Sequence, residues 1–339
     1  MRPMIRTLFA AYVAGATVFC SAGPAEQTEV LYGLLDGSGS HVKPVGVETR
    51  SWQLDSGNMS RSFLGLRGSE DLGGGLRAVF KLESYLRVDV GAAGRGEDDV
   101  FWAREASGGL SGSVGTSVLG RTPSPLWLAT VAFNPFGESI AFSPSVRQYF
   151  GGAVLGDTRW NNGLSYTNNA RDPLRVVFAA NADESTPGRL NAYNLGASVA
   201  YITGPLAATI VAERVSNSAQ GLPAGFQRQT ILQAGATYDF KFLRVYGQIG
   251  RIKTEADSDS RTTSYQLGAA VPIGNSLVLV AYGRSHSSTP QLATTDSILS
   301  LGYDYFLSKN TDIYVAAMVE RLSFVSSGNT VAGGVRVRF

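Results

Sequence analysis

The side chains that most often carry reactions are few in this chain and poorly placed. His41 and His286 are the only histidines, and Cys20 is the only cysteine. An activated serine needs a base within hydrogen-bond reach and a third group to orient that base. Ser285 and Ser287 flank His286, but successive residues of a strand point to opposite faces, so these hydroxyls and the imidazole form no relay. His41 stands in no recognisable motif. Two distant histidines without a partner cysteine make no metal-ligand set. The glycine run Gly73–Gly75 lacks the following helix that would hold a phosphate at its N-terminus. Basic residues are dispersed, which removes the footprint of a nucleic-acid binder. No catalytic residue, metal ligand, cofactor site or enzyme activity is expected.

The elements that must position any functional side chain are strands. Of the 339 residues 44% are apolar, only 17% are charged, and 40 are glycine. Charge is thus below, and glycine above, the share of an ordinary soluble domain. Residues 1–25 read as a secretory signal peptide, with Arg2 and Arg6 as its positive start and Leu8–Phe19 as its apolar stretch. The preferred cleavage follows Ala25, with Gly23 at minus three, and cleavage after Ala22 is the alternative. Cys20 falls inside this segment, and Phe19 before it rules out a lipoprotein site, which needs a small residue there. The mature chain, residues 26–339, then has no cysteine and no disulfide. Without Arg2 and Arg6 the 29 basic residues become 27, which balance 27 acidic ones. Net charge therefore points to no partner.

Beyond the signal segment no run of roughly 18 to 20 apolar residues occurs, so no transmembrane helix is expected. Alternation with a period of two recurs instead. Leu76, Ala78, Phe80 and Leu82 share one face while Arg77, Lys81 and Glu83 share the other. Leu232, Ala234, Ala236, Tyr238 and Phe240 oppose Gln233, Gly235, Thr237 and Asp239. The same holds in Ile298–Leu307 and Thr311–Glu320. Short turns at 69–75, 111–115, 168–173, 203–205, 239–242, 272–276 and 308–311 alternate with longer loops at 37–60, 86–99, 122–156, 183–190, 216–227, 256–262, 286–295 and 325–329. These connections predict 16 antiparallel strands with short turns at one end and long loops at the other, the construction of an outer-membrane β-barrel. An even number closes the sheet and leaves no edge facing lipid. Aromatics near strand ends, among them Tyr265, Tyr303, Tyr305 and Phe339, suit interfacial girdles. A secreted β-sandwich would also alternate, but would not sort its loops by length.

Several segments resemble the general porins of β-proteobacteria, a group that includes the neisserial porins. Gly65–Leu82 with Glu83 and Ser84 (GLRGSEDLGGGLRAVFKLES) is similar to that family's second strand, first periplasmic turn and third strand. Leu31–Asp36, Arg104–Gly112, Leu119–Arg121, Arg159–Tyr166, Leu301–Tyr314 and Gly333–Phe339 resemble further family segments in register along the mature chain. The resemblance implies a 16-stranded homotrimeric barrel in the outer membrane of a Gram-negative bacterium, with the third loop folded into the lumen. The longest connection, 122–156, is indeed the third.

In that family arginines on the lumen wall face acids of the inward loop. Arg104 and Arg159 match such motif positions, and Arg67 and Arg121 are further wall candidates by alternation. Phe63 stands where the family usually has an arginine, and Arg61, on the same face, is its partial substitute. Loop 122–156 offers Glu138 as its only acid and Arg147 as its only base among many apolar residues. Opposed charges would impose a transverse field on a permeating solute, and the shortage of acid leans toward anions. The implied function is passive diffusion of ions and small hydrophilic solutes. The competing reading is an adhesin or structural surface barrel, against which about sixteen strands argue, because that circumference leaves an aqueous lumen. In the last strand Val335, Val337 and Phe339 alternate with Arg336 and Arg338. The terminal aromatic resembles the signal read by the outer-membrane insertion machinery. Expected partners are further copies of the chain, outer-membrane lipids, that machinery and the solutes, with no nucleic acid.

Overall fold

The computed structural model describes residues 28–169, 173–182, 193–216 and 222–339. The expected signal segment 1–25 and the loop expected at 183–190 lie outside the described residues. Sixteen strands form the wall. The first eight are β1 (Thr28–Lys43), β3 (Phe63–Gly73), β4 (Leu76–Arg87), β6 (Glu105–Gly112), β7 (Gly115–Pro123), β8 (Arg159–Asn168), β9 (Leu174–Ala182) and β10 (Tyr193–Thr203). The second eight are β11 (Leu206–Val215), β12 (Arg228–Asp239), β13 (Arg244–Glu255), β14 (Ser260–Ile273), β15 (Ser276–Ser288), β16 (Ala293–Phe306), β17 (Thr311–Leu322) and β18 (Gly328–Arg338). Each pairs antiparallel with the next wall strand, and β1 pairs with β18 from Leu34 opposite Arg338 to Lys43 opposite Asn329, which closes the barrel.

Burial is inverted relative to a soluble fold. On β12, Leu232, Ala234, Ala236 and Tyr238 are exposed while Gln229, Gln233 and Thr237 are buried. The oily face looks outward toward lipid and the wet face lines the lumen, as barrel strands require. Neighbouring β-branched and aromatic residues favour this pleated surface, and the tight turns carry glycine at positive φ, as at Gly73–Gly75.

Two departures from the expected loops concern the first and second. The connection expected at 37–60 is shorter, because β1 continues to Lys43 and a further strand β2 (Ser51–Ser56) pairs with its upper half, Gly37–Val42. The second loop holds the two-residue β5 (Ala92–Ala93), paired with the end of β4. β2 extends the sheet locally beside β1, and neither element adds a strand that spans the wall. The third loop contains two short helices, α1 (Pro125–Ala132) and α2 (Pro144–Phe150).

Candidate pore constriction

Both helices start on Ser-Pro pairs: Ser124 accepts from the backbone of Trp127 at 3.1 Å and Ser143 from that of Val146 at 3.3 Å. These are N-caps followed by proline at the first turn, where its missing N–H costs nothing. Glu213 on the β11 wall accepts from the Leu126 backbone at 2.6 Å, adding a carboxylate at the positive end of α1. Along the far wall, glutamines hold the loop backbone. Gln229 bonds Leu155 and Ala153, Gln248 bonds Thr130, and Gln266 bonds Ser145, all within 3.0 Å. Glycines on the same wall clear the seats. A Cβ on Gly235, Gly268, Gly283 or Gly302 would lie within about 3.0 Å of Phe133, Pro135, Pro144 or Phe136 respectively. The apolar residues of the loop thus sit where the wall has no side chain. Loop 3 crosses the lumen and is folded into it.

The tip of the first loop turns inward to meet it. Asp36 accepts from the backbones of Met59 and Ser60 at 2.9 and 2.7 Å, and from the Tyr314 hydroxyl at 2.8 Å. Ser139 of loop 3 donates to the Asn58 carbonyl at 2.6 Å. Met59, Phe136 and Phe142 pack together in one buried cluster with the β13–β18 wall. That side of the lumen is filled. The opposite side, between β4 and loops 1 to 3, holds a cavity of about 250 Å³ lined by Arg61, Tyr85, Arg95, Trp127, Ile140 and Asp157 among others.

Arginines gather around one ring there. The guanidinium carbons of Arg61, Arg95, Arg104 and Arg159 lie 5.8, 5.9, 5.9 and 5.6 Å from the centre of Tyr85. Each contact is worth on the order of 1 kcal/mol of cation–π attraction. Arg104 also stacks on Phe63 at 4.0 Å, the residue standing where the family's arginine was expected. It is paired with Glu83 and, at 3.4 Å, with Glu138. Glu83 is shared further with Lys81 at 3.1 Å and accepts from the Tyr32 hydroxyl at 2.6 Å. Arg95 holds Asp99 and Asp157, each at 2.8 Å. Burial alone would raise the Asp157 carboxyl; hydrogen bonds and charge from Arg95 and Arg121 outweigh it and hold the group well below the usual carboxylate range.

Arg159 is different. It is 4% exposed, donates from Nε to the Arg104 carbonyl at 3.0 Å and lies over Trp127 at 4.9 Å, while its Nη1 is buried with no hydrogen-bond partner. Among the described residues no carboxylate comes within ion-pair distance of Arg159 or Arg61. Of four guanidiniums around Tyr85, two are neutralised and two are not.

Arg61, Arg104, Arg159 and Glu138 are therefore brought together, and Arg67 and Arg121 are not. Arg67 is exposed on the lumen face, opposite Lys81 and over Tyr32 at 4.8 Å, displaced toward the short-turn end. Arg121 pairs across the ladder with Ala106, which itself faces Leu82 of the oily face. A bulge between Gly120 and Thr122 breaks the regular alternation here. The guanidinium then binds the Ala103 carbonyl at 2.7 Å, Asn161 at 2.6 Å and Asp157 at 3.1 Å, so it ties the roots of loops 2 and 3 together. Sequence reasoning did not assign Glu83, Tyr85, Arg95 or Asp157 to the site. Glu83 carried a signal, since it sits on the wet face of β4 with Lys81. The Arg95–Asp157 pair spans 62 residues between two loops, and no local pattern announces it.

Phe339 bonds its N–H and carbonyl to the backbone of Gly33, at 3.2 and 3.0 Å, and its ring covers that glycine on the outer face. His41 stacks on the exposed Trp52 at 4.7 Å, and His286 contacts Thr295 at 3.1 Å, both outside the lumen.

A closed barrel of this circumference, its lumen narrowed by its own third loop, is a transmembrane diffusion channel. The chain belongs to the Gram-negative porin family, whose model matches residues 10–323. It is 29% identical over 321 residues to outer membrane porin protein 32 of Delftia acidovorans, covering 92% of this chain and 88% of that one. It is 27% identical to an outer membrane porin protein of Bordetella pertussis, covering 99% of each. Over 79 residues, 23% of the chain, it is 43% identical to the major outer membrane protein P.IA of Neisseria meningitidis. Among solved structures, the anion-selective porin from Comamonas acidovorans superposes with a TM-score of 0.80 at 26% identity, covering 93% of this chain and all of that one. The protein is an outer-membrane porin, a water-filled passage for ions and small hydrophilic solutes.

Proposed function

We propose that this porin prefers anions, and that Arg61, Arg104 and Arg159 set the preference at the constriction, with Glu138 and Glu83 as opposing charges. The observation that carries the reading is Arg159, a buried guanidinium with a free N–H and no carboxylate beside it. A cation walled by protein rather than water projects a field that a permeating anion can neutralise. The similar porin from Comamonas acidovorans is described as anion-selective, which agrees. We propose further that residues 1–25 are removed on export, that 26–339 form one barrel domain, that the working unit is a homotrimer, and that Phe339 is read by the insertion machinery. The family resemblance supports each of these.

A bilayer recording under a salt gradient tests the selectivity. Wild-type channels should show a zero-current potential on the anion side. Arg159→Glu should move it toward cations and Glu138→Gln modestly further toward anions, both shifts shrinking at about 1 M salt, where screening contracts to about 3 Å. A zero-current potential unmoved by Arg159→Glu removes Arg159 from the selectivity machinery.

A further inference from the structure

Along its strands the outward face of β13–β17 carries arginines toward one end only, while the short turns at the other end hold Lys241 and Lys309. Three successive rungs of the ladder hold the arginines. Arg284 and Arg321 flank Ser297 on the first. Arg251 and His286 flank Thr263 on the second, and Lys253 lies opposite Arg261 on the third. Residues two strands apart on one rung are about 10 Å apart, and successive outward rungs about 7 Å. Arg251, Arg261, Arg284 and Arg321 are all exposed. All lie toward the long-loop, extracellular end of their strands. On the same face Ile249 and Tyr265 share the first rung with Arg284 and Arg321, and Tyr282 and Val319 lie on the next outward rung toward the membrane centre, the apolar band and its aromatic edge. Lys253 has a partner, Glu255 at 2.8 Å, which also holds Arg228 at 2.8 Å. Among the described residues no acid lies within ion-pair distance of Arg251, Arg261, Arg284 or Arg321. The short-turn end of the same face is built otherwise, with Tyr303 and Tyr305 on β16 and Tyr238 on the neighbouring β12.

Charge at the edge of a lipid-facing surface costs stability unless it sits at headgroup level, and like charges on adjacent strands repel. A field of arginines just above the aromatic edge, on one side of the membrane only, therefore calls for an anion supplied by that leaflet. Guanidinium forks bind phosphate oxygens in pairs, and neighbouring forks about 8–12 Å apart, spread over a patch of about 20 Å, fit a headgroup with more than one phosphate better than a single one. We infer that the outer face of β13–β17 is a docking surface for a multiply phosphorylated lipid of the extracellular leaflet, with Arg251, Arg261, Arg284 and Arg321 as its phosphate ligands.

The test compares wild type with the variant Arg251→Gln/Arg261→Gln/Arg284→Gln/Arg321→Gln. Binding is measured by native mass spectrometry of the detergent-solubilised protein with added bis-phosphorylated lipid A. Unfolding temperature is measured in phosphatidylcholine vesicles with and without that lipid. The variant should bind lipid A on the order of a thousandfold more weakly, since four basic residues at an anionic surface together contribute about 4 kcal/mol. Lipid A should raise the unfolding temperature of the wild type but not of the variant, and in phosphatidylcholine alone the variant should be no less stable than the wild type, because neutralising a lipid-facing charge removes a cost. The double variant Arg284→Gln/Arg321→Gln should show part of the loss, and carries the test if the fourfold variant folds poorly. Equal lipid A binding by wild type and both variants overturns the proposal. So does full competition by millimolar inorganic phosphate, which would make the surface a site for the free ion. Loss of the oligomer in lipid-free detergent on neutralisation would assign the face to subunit contact, and the lipid assignment would fall.

Discussion

Arg104 and Arg159 share the face of one tyrosine, yet Arg104 has two carboxylates and Arg159 has none. The difference comes from the strand that supplies the acid. Glu83 sits on β4 directly opposite Glu105 and beside Lys81, so its charge is spread over Arg104, Lys81 and the Tyr32 hydroxyl. Glu138, by contrast, reaches only Arg104, at 3.4 Å. Glu83 is therefore the stronger brake on the positive field. Glu83→Gln should shift the zero-current potential toward anions by more than Glu138→Gln does. It should also leave Arg104 less well compensated, at a cost of about 3–5 kcal/mol when one partner of a buried pair is removed. Bilayer recordings and the unfolding temperature of both variants check this, and a larger selectivity shift from Glu138→Gln would contradict it. The sequence made Glu83 available as a wet-face residue, and alternation alone could place it. It could not say that the carboxylate reaches Arg104, because that contact depends on where the second loop returns to the wall. Arg121 shows the converse: it shares a face with the outward Leu119 and lies opposite Ala106 of the oily face, so regular alternation gives it no place on the lumen wall, and the bulge after Gly120 lets its guanidinium reach Asp157 instead.

At the scale of the element, loop 3 is an insertion that cannot hold itself up. Helices of eight and seven residues are too short to be stable alone, and their apolar periodicity is too brief to read from sequence. The length of 122–156 and its apolar content were legible. The use of that content was not, since the complementary glycines are scattered over several strands and look locally like ordinary strand glycines. Together they form a seat. Gly283 shows how tight it is, for a Cβ there would lie 2.5 Å from Cβ of Pro144, at the start of α2. Proline at a capped helix start has little freedom to yield, so α2 must move off the wall and into the open passage. Gly283→Ala should lower single-channel conductance and cost about 1–3 kcal/mol, the usual penalty of overpacking. Gly247→Ala on the outer face is the matched control, since its Cβ would meet only the flexible end of Leu267 at 3.6 Å. Equal conductance in the two variants would mean that loop 3 does not rest on this glycine.

For the whole molecule, the barrel class follows from a period of two and from loops sorted by length, both properties of the chain that survive without any knowledge of contacts. Closure is a different matter, because it joins the two ends of the chain and has no local trace except there. The last residue is informative. Phe339 extends the β1–β18 seam by two backbone hydrogen bonds to Gly33 and lays its ring over that glycine, where any side chain would collide with it. Two such bonds contribute about 1–3 kcal/mol in water, and more where lipid offers the freed groups no partner. The terminal phenylalanine can thus act as a latch of the seam, as a recognition signal for insertion, or as both, and the two roles separate by experiment. Deleting Phe339 should leave export intact and strand the chain unassembled in the periplasm if the signal role holds. The same truncated chain, unfolded and returned to detergent without any cellular factor, should then refold at the wild-type yield. If the latch role dominates, refolding in detergent fails as well, while Phe339→Leu, which keeps the backbone bonds and an apolar cover for Gly33, refolds normally. Wild-type amounts of assembled protein in the outer membrane after deletion of Phe339 would exclude both roles.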